Sequence, residues 1–252
     1  YDSTRADVID SNCAYTPFVG TGYMEDGEVS SCRVITAPGT YLLTQDIVNN
    51  RACMRISNAR DLIFDCQGHS IIGPGADDYA ETGISITKSE NVTVRNCNVS
   101  GWYNGIDSYS SDEPSSDVTI ENNTLSSNLY SIGLRKNIWN STVINNKISE
   151  GYGSSSRGVY LFLNSSNHLI TNNLFEDVSR GVYIGPYYGL ENNTIDSNIF
   201  RKCSFYINDA SHNVISNNIF EYGGIEVSSQ GVSENITIYR NSITNYSSQG
   251  IT

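Results

Sequence analysis

Residues 214–220 read VISNNIF, and six other segments carry the same phrase: VTVRNCNV at 92–99, VTIENNTL at 118–125, TVINNKI at 142–148, LITNNLF at 169–175, NTIDSNIF at 193–200 and ITIYRNSI at 236–243. Aligned, they share a column of Cys97, Asn123, Asn146, Asn173, Asn198, Asn218 and Asn241, at steps of 26, 23, 27, 25, 20 and 23 residues. Three residues earlier stand Val94, Ile120, Val143, Ile170, Ile195, Ile215 and Ile238. Two residues later stand Val99, Leu125, Ile148, Phe175, Phe200, Phe220 and Ile243. Both flanking columns are apolar in every row, far beyond what an apolar content of 38% gives by chance. Internal repeats with a period of 20–50 residues mark solenoids, propellers or arrays.

A third strand follows each phrase. It reads Ile106-X-Ser108, Ile132-X-Leu134, Val159-X-Leu161, Val182-X-Ile184, Phe205-X-Ile207 and Ile225-X-Val227, with Met54-X-Ile56 and Ile84-X-Ile86 ahead of them. Gly or Ser usually precedes it, as at Gly83, Gly105, Ser131, Gly158, Gly181, Ser204, Gly224 and Gly250. Alternation with period two means strands with one side in and one side out. Short strands in the same places of each repeat predict an all-β fold, a parallel coil of about eight turns of about 24 residues, each roughly 4.8 Å from the next. The Asn column falls between two inward positions, so the chain turns there. Asn tolerates the left-handed conformation of a tight turn, and stacked Asn side chains can bond from coil to coil.

Composition narrows the partners. The chain has 252 residues and a formal net charge of -12, so a DNA backbone is a poor partner. Charged residues make up 17%, and Asn, Ser and Gly are abundant, at 29, 35 and 21 residues. Scarcity of Ala, Leu and Lys speaks against a helical bundle, and 17 Tyr plus scattered aliphatics speak against disorder. The apolar runs are too short to span a membrane, and no hydrophobic leader follows Tyr1. Asn-X-Ser/Thr occurs at Asn91, Asn98, Asn122, Asn140, Asn164, Asn192, Asn235 and Asn245, which with the cysteines suggests secretion and N-linked glycans. A chain this rich in Asn, Ser and Thr also produces such triplets by chance.

Five of six cysteines, Cys13, Cys32, Cys53, Cys66 and Cys97, lie in the first 97 residues and suit a disulfide-stapled N-terminal cap or arm over residues 1–32, with the coil at 33–252. Cys66 and Cys97 fall near one column on adjacent coils and can pair. Cys53 with Cys66, and Cys13 with Cys32, is the sequence-local alternative. Cys203 is expected to be a free, buried thiol. No Cys-X2-Cys pair exists and His69, His168 and His212 are scattered, so no metal or other cofactor is expected and the histidines read as turn or core residues.

The repeat and the segment APGTYLLTQDI (37–47) through LIFDCQGHSIIG (62–73) resemble right-handed parallel β-helices of the pectate-lyase-like group, especially the NosD-like, carbohydrate-associated repeat proteins and archaeal cell-surface β-helix proteins. The resemblance implies the fold over residues 33–252 and a carbohydrate or cell-surface setting. It implies little about chemistry, because the fold hosts lyases, hydrolases, epimerases, adhesins and structural proteins. Hydrolases of the group carry Asn-Thr-Asp, Asp-Asp, Gly-His-Gly and Arg-Ile-Lys in order. Here only Asp77-Asp78 appears, Gly68-His69-Ser70 lacks the last Gly, and Arg-Ile-Lys is missing. The Asp-Pro-His-Asp of the epimerases is also missing. Lyases need a calcium-binding Asp cluster, for which Asp77, Asp78, Asp107 and Asp112 are the acidic candidates, or simply solvated loop acids. No catalytic residue is assigned.

One outward column reads Ser85, Asp107, Gly133, Tyr160, Tyr183, Tyr206 and Glu226. Three tyrosines on consecutive coils, with Tyr187 and Tyr188 on a loop nearby, offer a stripe for a sugar chain or another protein, or stack to stabilise the sheet. The coil runs to Gly250-Ile251-Thr252 without an atypical capping repeat, which fits either a piece of a longer protein or strand edges left open for head-to-tail pairing with a second copy. The leading expectation is thus a secreted, glycosylated structural protein, a subunit of an extracellular filament or cell-surface layer. The alternative is a β-helix that binds or degrades a polysaccharide on the Tyr-rich face.

Overall fold

The computed structural model describes residues 27–77, 81–185, 188–228 and 233–245. All regular structure in them is β-strand, wound into a right-handed parallel solenoid of about eight turns. Three parallel sheets of 12, 9 and 9 strands run along it as three faces. The first face begins with Gly27–Val29, Gly39–Leu43, Arg60–Asp65 and Glu90–Arg95 and ends with Val214–Ser216 and Thr237–Tyr239. The second runs from Ile47–Val48 to Ser242–Thr244, and the third from Val34–Ile35 to Ile225–Val227. The first strand, Gly27–Val29, already pairs with Gly39–Leu43, inside the stretch that looks non-repetitive in sequence.

The apolar columns stack in register. Val94, Ile120, Val143, Ile170, Ile195, Ile215 and Ile238 are successive partners on the first face. Phe175, Phe200 and Phe220 stack on the second, with ring centroids 4.9 and 4.5 Å apart. All but the last rung's Ile238 are fully buried, and each such side chain contributes about 1.5–3 kcal/mol of transfer free energy. The glycines before the third face are where these rings pass beneath. A Cβ on Gly181 would stand 2.5 Å from Phe200 Cδ1, and one on Gly158 2.6 Å from Phe175 Cδ1.

The turn after the first face divides the labour that the sequence reading gives to one Asn. The left-handed residue is the one before the column: Asn96, Asn122, Asn145, Asn172, Ser197, Asn217 and Arg240, with φ between 53° and 57°. The column residue itself points inward. Asn123, Asn146, Asn173 and Asn198 are each 2% exposed or less, and each side-chain oxygen takes the backbone N–H of the rung before, at 2.9 Å. A short polar side chain at the corner satisfies backbone groups that no strand pairing reaches. The same corner geometry explains the triplets. Seven of the eight Asn-X-Ser/Thr asparagines, all but Asn98, have positive φ. At the six of these whose next two residues are described, a left-handed Asn, a residue turned toward the coil and a more outward Ser or Thr write the triplet as a by-product of the turn.

The disulfides are Cys32–Cys53 and Cys66–Cys97, with Cα separations of 4.5 and 4.7 Å. This bears out Cys66 with Cys97 and overturns the sequence-local scheme of Cys53 with Cys66 and Cys13 with Cys32. Residues one full turn apart stack on one corner, whereas Cys53 and Cys66 sit at different corners of the same turn. Cys13 lies outside the described residues. Cys203 is free and buried, and burial pushes its thiol up to about 12, which makes it unreactive near neutrality.

Candidate functional site

The third face carries the densest outward chemistry. Ladder partners along it are Arg55, Ser85, Asp107, Gly133, Tyr160, Tyr183, Tyr206 and Glu226, so the column read from the sequence is a physical file. Its rings touch in series. Centroids of Tyr160 and Tyr183 lie 5.5 Å apart, and those of Tyr183 and Tyr206 lie 4.9 Å apart, nearly parallel.

The file is longer than its three tyrosines. Tyr130 lies 5.3 Å from Tyr160, and Tyr103 lies 5.3 Å from Tyr130. A second outward column of Tyr130, Arg157, Arg180 and Ser204 runs beside it. The guanidinium of Arg157 sits 4.2 Å over Tyr160 and 3.9 Å over Tyr183, and that of Arg180 sits 3.9 Å over Tyr206. Arg180 also pairs with Glu226 at 3.1 Å, while Arg157 has no carboxylate partner among the described residues. Sequence reasoning missed Tyr130, Arg157 and Arg180. The signal was available as Arg157-Gly-Val-Tyr and Arg180-Gly-Val-Tyr in consecutive repeats.

The rings differ in exposure. Tyr160 is 7% exposed and forms the floor, while Tyr183 and Tyr206 are half-buried. Burial raises the Tyr160 hydroxyl to about 12, against the opposing pull of Arg157, and burial raises Tyr183 as well. Both stay protonated donors at any physiological pH. At one end the file opens into a cleft lined by Tyr103, Tyr130, Leu129, Tyr152 and Asp77. There the Tyr152 hydroxyl donates to Asp77 at 2.7 Å.

The acidic candidates do not gather. Asp107 is gripped by Arg135 through two bonds of 2.7 and 2.6 Å, over the gap left by Gly133. Burial works against the Arg135 charge, but Asp107 outweighs it and raises its pKa. Asp77 belongs to the Tyr152 cleft, Asp112 lines a different one, and Asp78 lies outside the described residues. Among the described residues no three His, Cys, Asp or Glu side chains come together to hold a metal. Tyr188 stands 74% exposed by a separate hollow with Asp209 and Glu234. Tyr187, Gly250, Ile251 and Thr252 lie outside the described residues. Of the glycosylation candidates, Asn164 is half-buried and donates to Asn137 at 2.7 Å, and the other seven are exposed.

His168 is buried in a second ladder that the sequence reading did not find. Ser141 N–H donates to His168 Nδ1 at 3.1 Å, His168 N–H to Asn193 Oδ1 at 3.0 Å, and Asn193 N–H to Asn213 Oδ1 at 2.9 Å. His69 and His212 sit on outer corners, beside Asp46 and Asn235.

Residues 82–243 match the family model described as right handed beta helix region, and the chain belongs to that family. No curated protein sequence matches it. Among solved structures, the surface adhesin PfbA of Streptococcus pneumoniae superposes with a TM-score of 0.62 at 15% identity, over 88% of this chain and 64% of that one. An alginate lyase from Paenibacillus sp. str. FPU-7 gives 0.54 at 11% identity, over 87% and 91%. The catalytic domain of a GH87 alpha-1,3-glucanase in complex with nigerose gives 0.55 at 16%, over 85% and 55%. The chain spans only 38% of another match, XylC in complex with xylose. At such identities these likenesses establish the fold alone.

Proposed function

We propose that this chain is an extracellular polysaccharide-binding β-helix that holds its ligand along the third face, on Tyr130, Tyr160, Tyr183 and Tyr206 with Arg157 and Arg180. The observation that carries this reading is the unbroken file of tyrosines with an arginine lacking a carboxylate partner set among them. Ring edges and hydroxyls, with guanidinium donors between them, suit a chain of hydroxyl-rich rings. A fold shared with an adhesin, a lyase and a glucanase agrees with it. Two disulfides agree with an oxidising, extracytosolic setting.

Binding is favoured over cleavage because the carboxylates in or beside the file are engaged, Glu226 by Arg180, Asp107 by Arg135 and Asp77 by Tyr152. The file also stacks as a sheet-stabilising ladder, and both roles use the same contacts.

The test is affinity electrophoresis against a panel of neutral and acidic polysaccharides, comparing the native chain with Tyr183→Ala and Arg157→Gln. A ring at the centre of an interface is commonly worth about 2 kcal/mol, close to thirtyfold in affinity. Loss of that size in Tyr183→Ala, with an unchanged circular dichroism spectrum, supports the reading. Native affinity for every polysaccharide tried in both folded variants overturns it.

A further inference from the structure

A second cleft lies at the edge of the same face, spanning the rungs of Arg55, Ser85 and Asp107, two to four rungs from Tyr160 and apart from the tyrosine file. It measures 460 Å³ and is lined by Arg55, Ser57, Thr87, Lys88, Tyr109 and Ser111, together with Asn58, Ser110 and Asp112. Arg55 and Lys88 come from neighbouring rungs. A third cation, Lys136, stands outside the lining but over Tyr109, one wall of the cleft, with Nζ 5.8 Å from the ring centroid. None of these three has a carboxylate partner among the described residues. The neighbouring Arg135, 5.7 Å over the same ring, is neutralised by Asp107. In a chain of net charge -12 with four lysines, one lysine and one arginine thus line a single hollow and a second lysine stands over its Tyr109 wall.

Gathering unpaired cations costs free energy through their mutual repulsion, and a bound anion removes that cost. The hollow also supplies neutral donors. Thr87 Oγ1 and Asn58 Nδ2 both turn to Ser57 Oγ, at 3.1 and 3.2 Å, which keeps a polar floor between the charges. Asp112 is the one acid in the lining and is itself bonded to Ser111 Oγ at 3.1 Å.

We infer that this cleft binds a tetrahedral oxyanion, a sulfate or phosphate group, with Arg55 and Lys88 of its lining as cationic ligands and Lys136 adding charge from the Tyr109 wall. Cations carried on separate rungs, with hydroxyls between them, suit an anion with oxygens on several sides, whereas a planar carboxylate offers only two. The site does not depend on the tyrosine file and makes a second point of attachment for a glycan carrying sulfate or phosphate esters.

The test is isothermal titration of the whole chain with dextran sulfate, unmodified dextran, polygalacturonate and inorganic phosphate. The variants are K88Q/K136Q, the equally charged control K147Q/R240Q on other parts of the coil, and Y183A. Dextran sulfate is expected to bind the native chain and the control alike, and K88Q/K136Q at least tenfold more weakly. Competition by inorganic phosphate at matched ionic strength would identify a site that also takes the free anion. Failure to compete, with the variant loss retained, would identify an ester borne on a polymer. An equal loss in K147Q/R240Q would reduce the effect to net charge and overturn the proposal. So would polygalacturonate binding as tightly as dextran sulfate with the same variant dependence. Y183A separates this proposal from the tyrosine-face reading, because it leaves dextran sulfate binding at the cleft intact whether or not the file binds sugar.

Discussion

His168 fills a rung that Asn193 and Asn213 fill farther along the coil, and it does so as a neutral imidazole. With Nδ1 accepting from Ser141 N–H, the proton sits on Nε2, which faces Ser165 Oγ at 2.8 Å and the Ile138 carbonyl. Burial lowers its pKa from 6.5 to about 3, outweighing those hydrogen bonds. The unfolded chain therefore takes up a proton near pH 6.5 that the folded chain refuses until about pH 3. Its stabilising contribution is complete above pH 6.5 and is lost as pH falls toward 3, at up to about 1.4 kcal/mol per pH unit. Asp65 and Asp196 are also held below the ordinary carboxylate value, but they lose their contribution only below about pH 4. Between pH 7 and 5 the melting temperature should fall by about 4–8 °C, and His168→Asn, which keeps an acceptor for Ser141, should flatten that slope. Scanning calorimetry at three pH values decides it; an unchanged slope in the variant would mean that His168 is not the group responsible.

At the scale of one element, a turn and the strand after it, neighbouring asparagines have opposite jobs. Asn172 is exposed in the left-handed region at φ 55°, and Asn173 is buried in the ladder. Asn173→Ala removes the acceptor for Asn146 and the donors to Val143 O, Thr171 O and Asn198 Oδ1, leaving buried groups unpaired. About 2–4 kcal/mol should be lost in urea unfolding, whereas Asn172→Gly should stay within about 0.5 kcal/mol of the native chain. Equal costs at both positions would refute the division. The sequence made the ladder legible because one residue type fills it in six consecutive rows. It did not reveal which of the two asparagines bends the backbone, since both are Asn in four of those rows. The ladder of Ser141, His168, Asn193 and Asn213 stayed hidden because a His and two Asn share its acceptor role and Ser141 joins it only through a backbone N–H. The candidate face was half legible. Period-two alternation gave Tyr160, Tyr183 and Tyr206, but Tyr130, Arg157 and Arg180 stand in a parallel column, and their partnership depends on the reach of an arginine side chain. Cys32–Cys53 was missed because the first turns lack the phrase that sets the register.

Across the whole molecule strand pairing joins each rung only to its neighbours, so stability should vary along the axis largely as a sum of local terms. The early turns are crossed by two disulfides and filled by Trp102, which is fully buried with its indole N–H donating to Ile71 O at 3.0 Å. In the last described turn Ile236, Ile238 and Ile243 are only partly buried, whereas Ile195 and Phe200 are wholly so. Backbone amides of Thr237–Tyr239 and Ser242–Thr244 should therefore exchange with deuterium at least a hundredfold faster than those of Glu90–Arg95 and Asn98–Ser100. Reduction should act locally too. A closed loop of this size contributes about 2–4 kcal/mol, and with nearest-neighbour coupling that loss falls on the first rungs. Hydrogen exchange of the oxidised and reduced chain tests both statements together. A protection gradient that reduction flattens from the N-terminal side means that the coil opens rung by rung, with the tyrosine file spanning rungs of different stability. Uniform protection that drops everywhere on reduction would instead mean one cooperative unit, and a ligand lying along the third face would then stabilise all of it at once.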